Sequence, residues 1–482
     1  MLFPKNKMMI AALVLLASCK KSFVELTSPT ALPPENFYKT EADMKSALTG
    51  VYGSLRTIYN SYYLLNEMPS DNTQSYSESE AGIGIWDKMT WNAATADISG
   101  IWNNHYNTIA QCNLVLEKIG GVSFGNAATR AQYIAEAKFV RALMYFNLVR
   151  YFGGVPLVTK VITNDADAFA YNRAAVTEVF AQVEKDLKEA EAALPVAYAA
   201  AGDRGRVTSG AVKAFLGKVY LQQKNYAAAE AKLKEVTALS PATYELLPSY
   251  ADVFSTANEY NKELLFSVQY SRAAVGLGEG SSFALWFAPQ PSGNSIVSGG
   301  STYSYNIGSL DLYRSFESGD SRKSLVGVFT NGLSDSTKFY YYTKKFLDTP
   351  PSVTDGENNW IVIRYSDVLL MLAEVLNEQG KTSEALGLVQ KVRTRAGLTT
   401  DTGLDQQATR ALVKKERRTE LCFEGHRWPD LVRWNDYVAV MTDFKTRYNV
   451  PSLAITADKK LYPIPQRERS LHSKWEQNQG YQ

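Results

Sequence analysis

The stretch Ala211 to Pro241 constrains the fold of this chain more than any other part of it. It reads AVKAFLGKVYLQQKNYAAAEAKLKEVTALSP, with small and apolar residues at Leu216, Gly217, Tyr220, Ala229, Leu233 and Pro241. Small residues let two antiparallel helices approach closely, and the side chains of Tyr220 and Leu233 fill the space between them. The spacing is that of a tetratricopeptide repeat, although Lys213 stands where the repeat usually has Trp.

Three other parts of the chain predict similar helix pairs. The pattern returns in Val368 to Gly397, where small and apolar residues occupy matching offsets. Apolar residues at helical spacing also predict two further pairs, Glu41 to Tyr59 with Ile101 to Ile119, and Arg130 to Phe152 with Val176 to Leu194. Repeats of this kind stack, because each buries its apolar face only against a neighbour. We therefore expect a mainly α fold, a helical-repeat scaffold of about four helix pairs within residues 41–240 and 363–436. Ordinary helix hairpins would give the same architecture.

Between these helices lie two loop-rich regions, residues 66–100 and 241–360. Gly276 to Ser309 contains too much glycine to be predicted as a helix. Short alternating runs, Leu264 to Tyr270 and Lys338 to Lys345, predict a few strands. Long loops in a compact domain are usually functional or disordered. The tryptophans in these loops argue for order, so we expect an irregular binding lobe.

Charge and cysteine usage narrow the class of protein. The chain of 482 residues has 51 basic and 49 acidic side chains and no dense basic stretch, so no nucleic-acid partner is expected. Its 29 tyrosines outnumber its 20 phenylalanines, and many should lie at a wet surface or groove because a buried hydroxyl needs a partner. Cysteine occurs at Cys19, Cys112 and Cys422, without metal-ligand spacing. Cys112 and Cys422 are expected to be lone buried thiols, and a bond between them stays the alternative.

The N-terminal sequence, MLFPKNKMMIAALVLLASC, predicts a secretory signal followed by a lipid-attachment site. Two lysines precede an apolar run, Met8 to Ala17, that is about half as long as a membrane-spanning helix requires. Residues 1–18 are therefore predicted to be a secretory signal peptide. Cys19 follows Leu-Ala-Ser, as in the bacterial lipobox, and acylation there would give stable anchoring. Residues 19–34 are then a lipidated leader, and residues 35–482 are expected to form one domain. A chance cysteine after an ordinary signal peptide is the alternative.

The stretch RRTELCFEGHRWPDLVRW, Arg417 to Trp434, contains the residue types of an active site. It is predicted instead to be structural. Thr409 to Phe423 has the pattern of one amphipathic helix, and Gly425 ends that helix between Cys422 and His426. The apolar neighbours of Cys422 would also raise its thiol pKa, which disfavours a nucleophile.

Several stretches, taken in order along the chain, resemble the SusD/RagB family of Bacteroidetes outer-membrane lipoproteins. Besides the lipobox at Cys19 and the stretch Arg417 to Trp434, they are IWNNHYNTIAQCN (Ile101 to Asn113), AEAKFVRALMYFNLVRYFGGVPLV (Ala135 to Val158), IRYSDVLLMLAEVLNEQG (Ile363 to Gly380), LYPIPQRE (Leu461 to Glu468) and QNQGY (Gln477 to Tyr481). The resemblance implies a SusD-like fold that captures oligosaccharides, or in some members peptides, without catalysis or a cofactor. It implies a SusC-like TonB-dependent outer-membrane transporter as the partner.

The resemblance also implies a lipid-anchored place on the cell-surface side of the outer membrane. Surface-exported members often carry acidic residues directly after the lipid-bearing cysteine. Here Lys20 and Lys21 follow Cys19, so the periplasmic leaflet stays open as an alternative.

The loops supply candidate ligand-binding residues. A sugar presents an apolar C–H face and a polar rim, so its site needs aromatic faces flanked by amides or charged groups. Two segments offer this mixture, and their candidate residues are Asp71, Asn72, Tyr76, Trp86 and Trp91, and Trp286, Asn294 and Tyr303. We predict that Trp86 and Trp286 share one accessible face and stack on the ligand. The alternatives are that the tryptophans only pin loops to the body, that the chain is a lipid-anchored hydrolase, or that the repeats bind other proteins. No catalytic or metal-binding residue is predicted.

Overall fold

The computed structural model describes residues 37–74, 83–272, 279–330, 339–350, 352, 354–450 and 453–481. The predicted anchor at Cys19 and the candidate Tyr76 lie outside these residues. In chain order, the helices are α1 (Glu41–Asn60), α2 (Tyr62–Asn66), α3 (Gly84–Asp87), α4 (Ala96–Lys118), α5 (Ala127–Phe152), α6 (Asp165–Phe169), α7 (Val176–Ala193), α8 (Ser209–Gln222), α9 (Tyr226–Thr237), α10 (Phe283–Phe287), α11 (Leu310–Ser315), α12 (Tyr365–Glu378), α13 (Thr382–Arg395), α14 (Gln406–Glu420), α15 (Arg427–Trp434), α16 (Tyr437–Arg447) and α17 (Gln466–Leu471). The strands are β1 (Leu264–Val268), β2 (Val326–Thr330), β3 (Phe339–Thr343) and β4 (Trp360–Arg364).

The predicted helical scaffold is confirmed. Helix α1 packs on α4, α5 on α7, α8 on α9, and α12 on α13, and these are the four helix pairs expected from the sequence. The pairs also stack, because α7 contacts α8 and α9 contacts α12. Among the described residues, no helix combines the length and the apolar character that crossing a membrane would require.

Close helix approach depends on the small residues of the repeat, as the pairing of α8 with α9 shows. A Cβ atom added at Gly217 would lie 2.5 Å from a methyl carbon of Leu233, so no other residue fits without a shift. Ala229 and Leu233 are fully buried on the facing helix. The Gly-Leu contact therefore sets the distance between the two helices.

Helix α5 lies at the centre of the scaffold, since nearly every side chain from Phe139 to Val149 is buried. Its charged residue Arg141 is buried too, and its guanidinium donates to both carboxylate oxygens of Asp186 on α7, at 2.8 Å each. The same guanidinium donates to the side chain of Asn113 on α4 at 2.8 Å. A buried charge is tolerated only when it is paired in this way, so Arg141 fixes three helices relative to one another.

The lobe contains two small antiparallel sheets, β1 with β4 and β2 with β3. Strands β1 and β3 lie where the sequence predicts strands. The prediction of no helix in Gly276 to Ser309 is wrong for five residues, because α10 occupies Phe283–Phe287. The sequence of α10 is FALWF, which lacks glycine and buries four of its five side chains. Local burial here overrides the high glycine content of the surrounding segment.

Candidate ligand-binding site

Trp86 and Trp91 are core residues, and the prediction that they are exposed is wrong. Their side chains are 0% and 2% exposed, and their rings stack with centroids 5.7 Å apart. Both rings also pack on Tyr462, and the indole N–H of Trp91 donates to the Tyr481 hydroxyl at 2.8 Å. The two tryptophans therefore pin the loop around α3 to the C-terminal segment of the chain.

Asp71 and Asn72 are also buried, which corrects the expectation that they face a ligand. The Asp71 carboxylate accepts two hydrogen bonds from Arg427, at 2.8 and 2.9 Å, and lies 2.9 Å from Arg418. Burial raises the pKa of Asp71, but Arg418 and Arg427 outweigh this effect and lower that pKa to about 2. The Asn72 amide donates to Glu67 at 2.9 Å. Asp71 thus ties the loop after α2 to α14 and α15, while Asn72 binds Glu67 within the same loop.

The second candidate segment brings aromatic rings together at the surface of the lobe. Trp286 on α10, Tyr303 and Tyr305 are each partly exposed. The Tyr305 ring lies 6.1 Å from that of Trp286 and 5.5 Å from that of Tyr303, centroid to centroid. We call these three residues the lobe aromatic cluster. Tyr305 was not among the predicted residues, although it is a tyrosine of the same loop segment, two positions after Tyr303, and this is a signal that could have identified it.

Backbone hydrogen bonds hold the lobe aromatic cluster in place. The N–H of Tyr303 donates to the carbonyl of Leu285 at 3.1 Å, and the N–H of Tyr305 donates to the carbonyl of Trp286 at 2.7 Å. The segment bearing the tyrosines is therefore folded back along α10. Asn294 is exposed on the turn Gln290–Ser295 that follows α10. This turn is tied to the same segment, because the N–H of Gln290 donates to the Ser304 hydroxyl at 2.6 Å.

Behind the cluster lies Tyr63 of α2, whose ring centroid is 6.5 Å from that of Trp286. Burial raises the pKa of Tyr63 well above its ordinary value, and the nearby Tyr305 and Asp97 act in the same direction. Asp97 is exposed in the first turn of α4 and accepts a long hydrogen bond, 3.4 Å, from the Trp86 indole. Tyr63 thus backs the lobe aromatic cluster, and the Asp97 carboxylate lies close enough to act on the Tyr63 hydroxyl. A sugar site combines aromatic faces with polar groups of this kind.

The catalytic alternative at Cys422 and His426 has no support in the structure. Burial raises the pKa of the Cys422 thiol to about 11. Burial lowers the pKa of His426 to about 3, with Lys218 acting in the same direction. A thiol that stays protonated and a histidine that stays neutral at pH 7 make a poor nucleophile and base pair. Cys422 and Cys112 are both free and buried, as expected from the sequence.

The stretch around Cys422 belongs instead to a buried ion network. Arg364 at the end of β4 donates to the carboxylates of Glu263, Glu420 and Glu424 at 2.6–2.9 Å. On α14, Arg417 donates to Asp367 at 2.8 Å and to Asp430 at 2.7 Å. Each of these side chains is nine-tenths or more buried. The structural interpretation of Arg417 to Trp434 therefore agrees with the structure.

Helix α14 ends at Glu420, three residues earlier than the predicted end at Phe423. The reason is a tertiary contact. The Glu67 carboxylate accepts the backbone N–H groups of Phe423, at 3.0 Å, and Gly425, at 3.1 Å. Both residues have positive φ, 66° and 77°, in the reversal that follows. Within the described parts of the chain, no group of three or more His, Cys, Asp or Glu side chains is placed to hold a metal ion.

Comparison with protein families gives two matches. A model described as the SusD family matches residues 317–481. A second model, described as starch-binding associating with outer membrane, matches residues 22–221. Among similar proteins, SusD-like protein P25 of Formosa agariphila is 29% identical over 505 aligned residues, which span 94% of each chain. A SusD-like protein of Bacteroides ovatus is 26% identical over 91% of this chain and 84% of its own length.

Solved structures give the same picture. A laminarin binding SusD-like protein is 29% identical to this chain, with a TM-score of 0.79 over 92% of this chain and 100% of its own. A SusD homolog of Bacteroides thetaiotaomicron has a TM-score of 0.82 over 93% of this chain and 98% of its own. At 24% identity, that second likeness supports the fold alone.

Proposed function

This chain is a SusD-like protein, and from that premise we propose that it captures neutral glycans at the outer membrane for uptake. The observation that carries the proposal is the lobe aromatic cluster, with the exposed Asn294 and Asp97 nearby. Two comparisons support the ligand class, namely the starch-binding description of the matching family model and the laminarin-binding relative. Partly exposed rings can stack on the apolar face of a sugar, while amides and carboxylates bind its hydroxyl groups.

Peptide binding is the second candidate for the same cluster, because aromatic faces also bind apolar side chains. We favour sugar, because the matching family model is described as starch-binding and a similar solved structure is a laminarin binding protein. Competition separates the two candidates. If the cluster binds peptides, peptide binding should depend on Trp286, and an added oligosaccharide should not displace the peptide.

The function is tested by replacing Trp286. We expect Trp286→Ala to lose about 1–3 kcal/mol of binding free energy for maltohexaose or laminarihexaose, the scale of a central aromatic contact. Isothermal titration measures the affinity, and a thermal melt checks that the variant is folded. Phe169→Ala is the control, because it removes an aromatic ring of α6 that is 52% exposed and lies outside the lobe aromatic cluster. Unchanged affinity in Trp286→Ala would place the glycan site elsewhere.

We further propose that the protein acts without catalysis, as a lid on a SusC-like TonB-dependent transporter, and that the lipid on Cys19 holds it at the membrane. The support is family membership and the lipobox sequence. Co-purification from native membranes in mild detergent should recover a large β-barrel protein together with this chain. Recovery of the chain alone, under conditions that preserve other barrel complexes, would contradict the transporter partnership.

A further inference from the structure

A groove separate from the lobe aromatic cluster lies between α1, the connector from α7 to α8, and β1. It consists of two adjoining cavities of about 390 and 220 Å³. The two cavities share the lining residues Arg204, Gly205, Arg206, Phe266, Ser267 and Gln269. Among the described residues, no member of the lobe aromatic cluster lines either cavity. A ligand here would occupy a different site from the one proposed above.

Exposed apolar surface is concentrated on the wider cavity. Tyr260 and Val196 are 53% and 51% exposed, among the most exposed large apolar side chains of the described residues, and both line this cavity. Tyr198 and Tyr244 line it as well, and each is held by a hydrogen bond, to the Val207 carbonyl at 2.9 Å and to the Thr208 hydroxyl at 3.0 Å. Two of the rings in the wall are therefore held by hydrogen bonds, while the exposed ring of Tyr260 can stack on a ligand.

Two buried polar atoms beside the groove have no hydrogen-bond partner among the described residues. Ser267 is only 5% exposed and lines both cavities, yet its hydroxyl has no hydrogen-bond partner in the described part of the chain. The same holds for the buried carboxylate oxygen Oε1 of Glu259. Buried polar atoms without a partner are rare and costly, and these two lie just beneath the surface of the groove.

The charged side chains of the groove restrict the class of ligand. Arg204 is exposed and forms no ion pair with any described residue, because its neighbour Asp203 is taken by Lys45 and Arg206. The other charged side chains that line the groove form ion pairs with described residues; they are Lys45, Arg56, Asp203, Arg206, Lys262 and Glu279. In the described part of the chain, the groups left without an ion pair are the Arg204 guanidinium and the Glu259 carboxyl, which are opposite in sign. A neutral ligand rich in hydroxyl groups can donate to the carboxyl oxygens and accept from the guanidinium at the same time.

We infer that this groove is a second glycan-binding site, in which a sugar ring stacks on Tyr260 and its hydroxyl groups bind the side chains of Glu259 and Arg204. We call it the Tyr260 groove. The inference does not depend on the lobe site, since it rests on other residues. Burial raises the pKa of Glu259 to about 7, and the carboxylates of Glu357 and Asp348 act in the same direction. Near neutral pH this carboxyl group can thus donate as well as accept, which suits a hydroxyl partner.

The test uses the full chain and two defined probes, maltohexaose and laminarihexaose, in isothermal titrations. The variants are Trp286→Ala, Tyr260→Ala, their combination, and Phe169→Ala as the control of matched exposure. We expect Trp286→Ala to keep a binding component that Tyr260→Ala weakens at least about tenfold, because stacking on a central aromatic ring is lost. Tyr260→Phe, which keeps the ring, should restore that component. Thermal melts confirm that each variant is folded.

This experiment tests the two proposed sites separately. If Tyr260→Ala binds both hexasaccharides as the wild type does, alone and together with Trp286→Ala, the Tyr260 groove is not a glycan site. If Tyr260→Ala alone removes binding while Trp286→Ala has no effect, the result supports the Tyr260 groove as a glycan site and contradicts the site at the lobe aromatic cluster. If the wild-type chain binds neither probe, the inference is overturned as well.

Discussion

At the scale of single residues, the composition of a loop indicates a site but not the direction of its side chains. Trp86 and Trp286 looked equivalent in sequence, yet only Trp286 is partly exposed. The partners that bury Trp86 and Trp91, Tyr462 and Tyr481, come from the other end of the chain. No local pattern around residue 86 could reveal them. The aromatic residues of the segment Trp286 to Tyr305 did indicate a surface cluster, because their rings pack against others of the same segment.

Replacing Trp86 and replacing Trp286 should therefore change the stability of the protein by different amounts. We expect Trp86→Ala to lower the free energy of unfolding by about 3–5 kcal/mol, because it leaves a cavity in the core. Trp286→Ala should cost much less, since its ring is already partly in water. Urea denaturation followed by circular dichroism measures both changes. Equal losses in the two variants would contradict the assignment of Trp86 to the core and Trp286 to the surface.

At the scale of elements, the sequence predicts what depends on local periodicity. The helix pairs were found because a period of 3.6 residues and the small residues at their contacts are visible in the chain. The end of α14 was missed because Glu67, far away in sequence, takes the backbone N–H groups of Phe423 and Gly425. The pairing of β1 with β4 could not be predicted either, because nearly a hundred residues separate the two strands. Their alternating side chains predict a strand but do not show which other strand it pairs with.

The contact between α8 and α9 gives a prediction at this scale. Gly217→Ala should destabilise the protein by about 1–3 kcal/mol, because its new methyl group overlaps Leu233 and forces the helices apart. Gly387→Ala is the matched control. Gly387 lies inside α13 with open space around it, so alanine there should stabilise the protein by about 0.5–1 kcal/mol. Thermal or urea unfolding of both variants measures the difference. A stabilising effect at Gly217 would show that the helix spacing does not depend on this contact.

At the scale of the whole molecule, the order of motifs along the chain was sufficient for the architecture. The mainly helical SusD-like fold follows from the repeats and the resemblance together. The candidate site was predicted less well, with Trp286, Asn294 and Tyr303 on the lobe surface and four other candidates in the core. A site on irregular loops is set by long-range contacts, and these are the part of a fold that a single sequence does not display.

The proposed lipid anchor gives a prediction at the scale of the whole molecule. A Cys19→Ala variant should leave the membrane fraction, or remain uncleaved with its signal peptide attached, because acylation needs the thiol. Fractionation of cells followed by immunoblotting measures this, with Cys112→Ala as a control that keeps the lipobox cysteine. A Cys19→Ala chain that is processed and stays with the outer membrane to the same extent would refute the lipoprotein assignment.

The buried ion network has a mechanical consequence. Its carboxylates and guanidinium groups come from the loop after α2, from β4 of the lobe and from α12, α14 and α15 of the scaffold. A small slip of the lobe against the scaffold would separate several of these pairs while they stay buried, and a buried charge that loses its partner costs about 3–5 kcal/mol. The molecule is therefore expected to transmit force as one stiff lever. A push on its repeats would reach the rings of the lobe aromatic cluster with little loss.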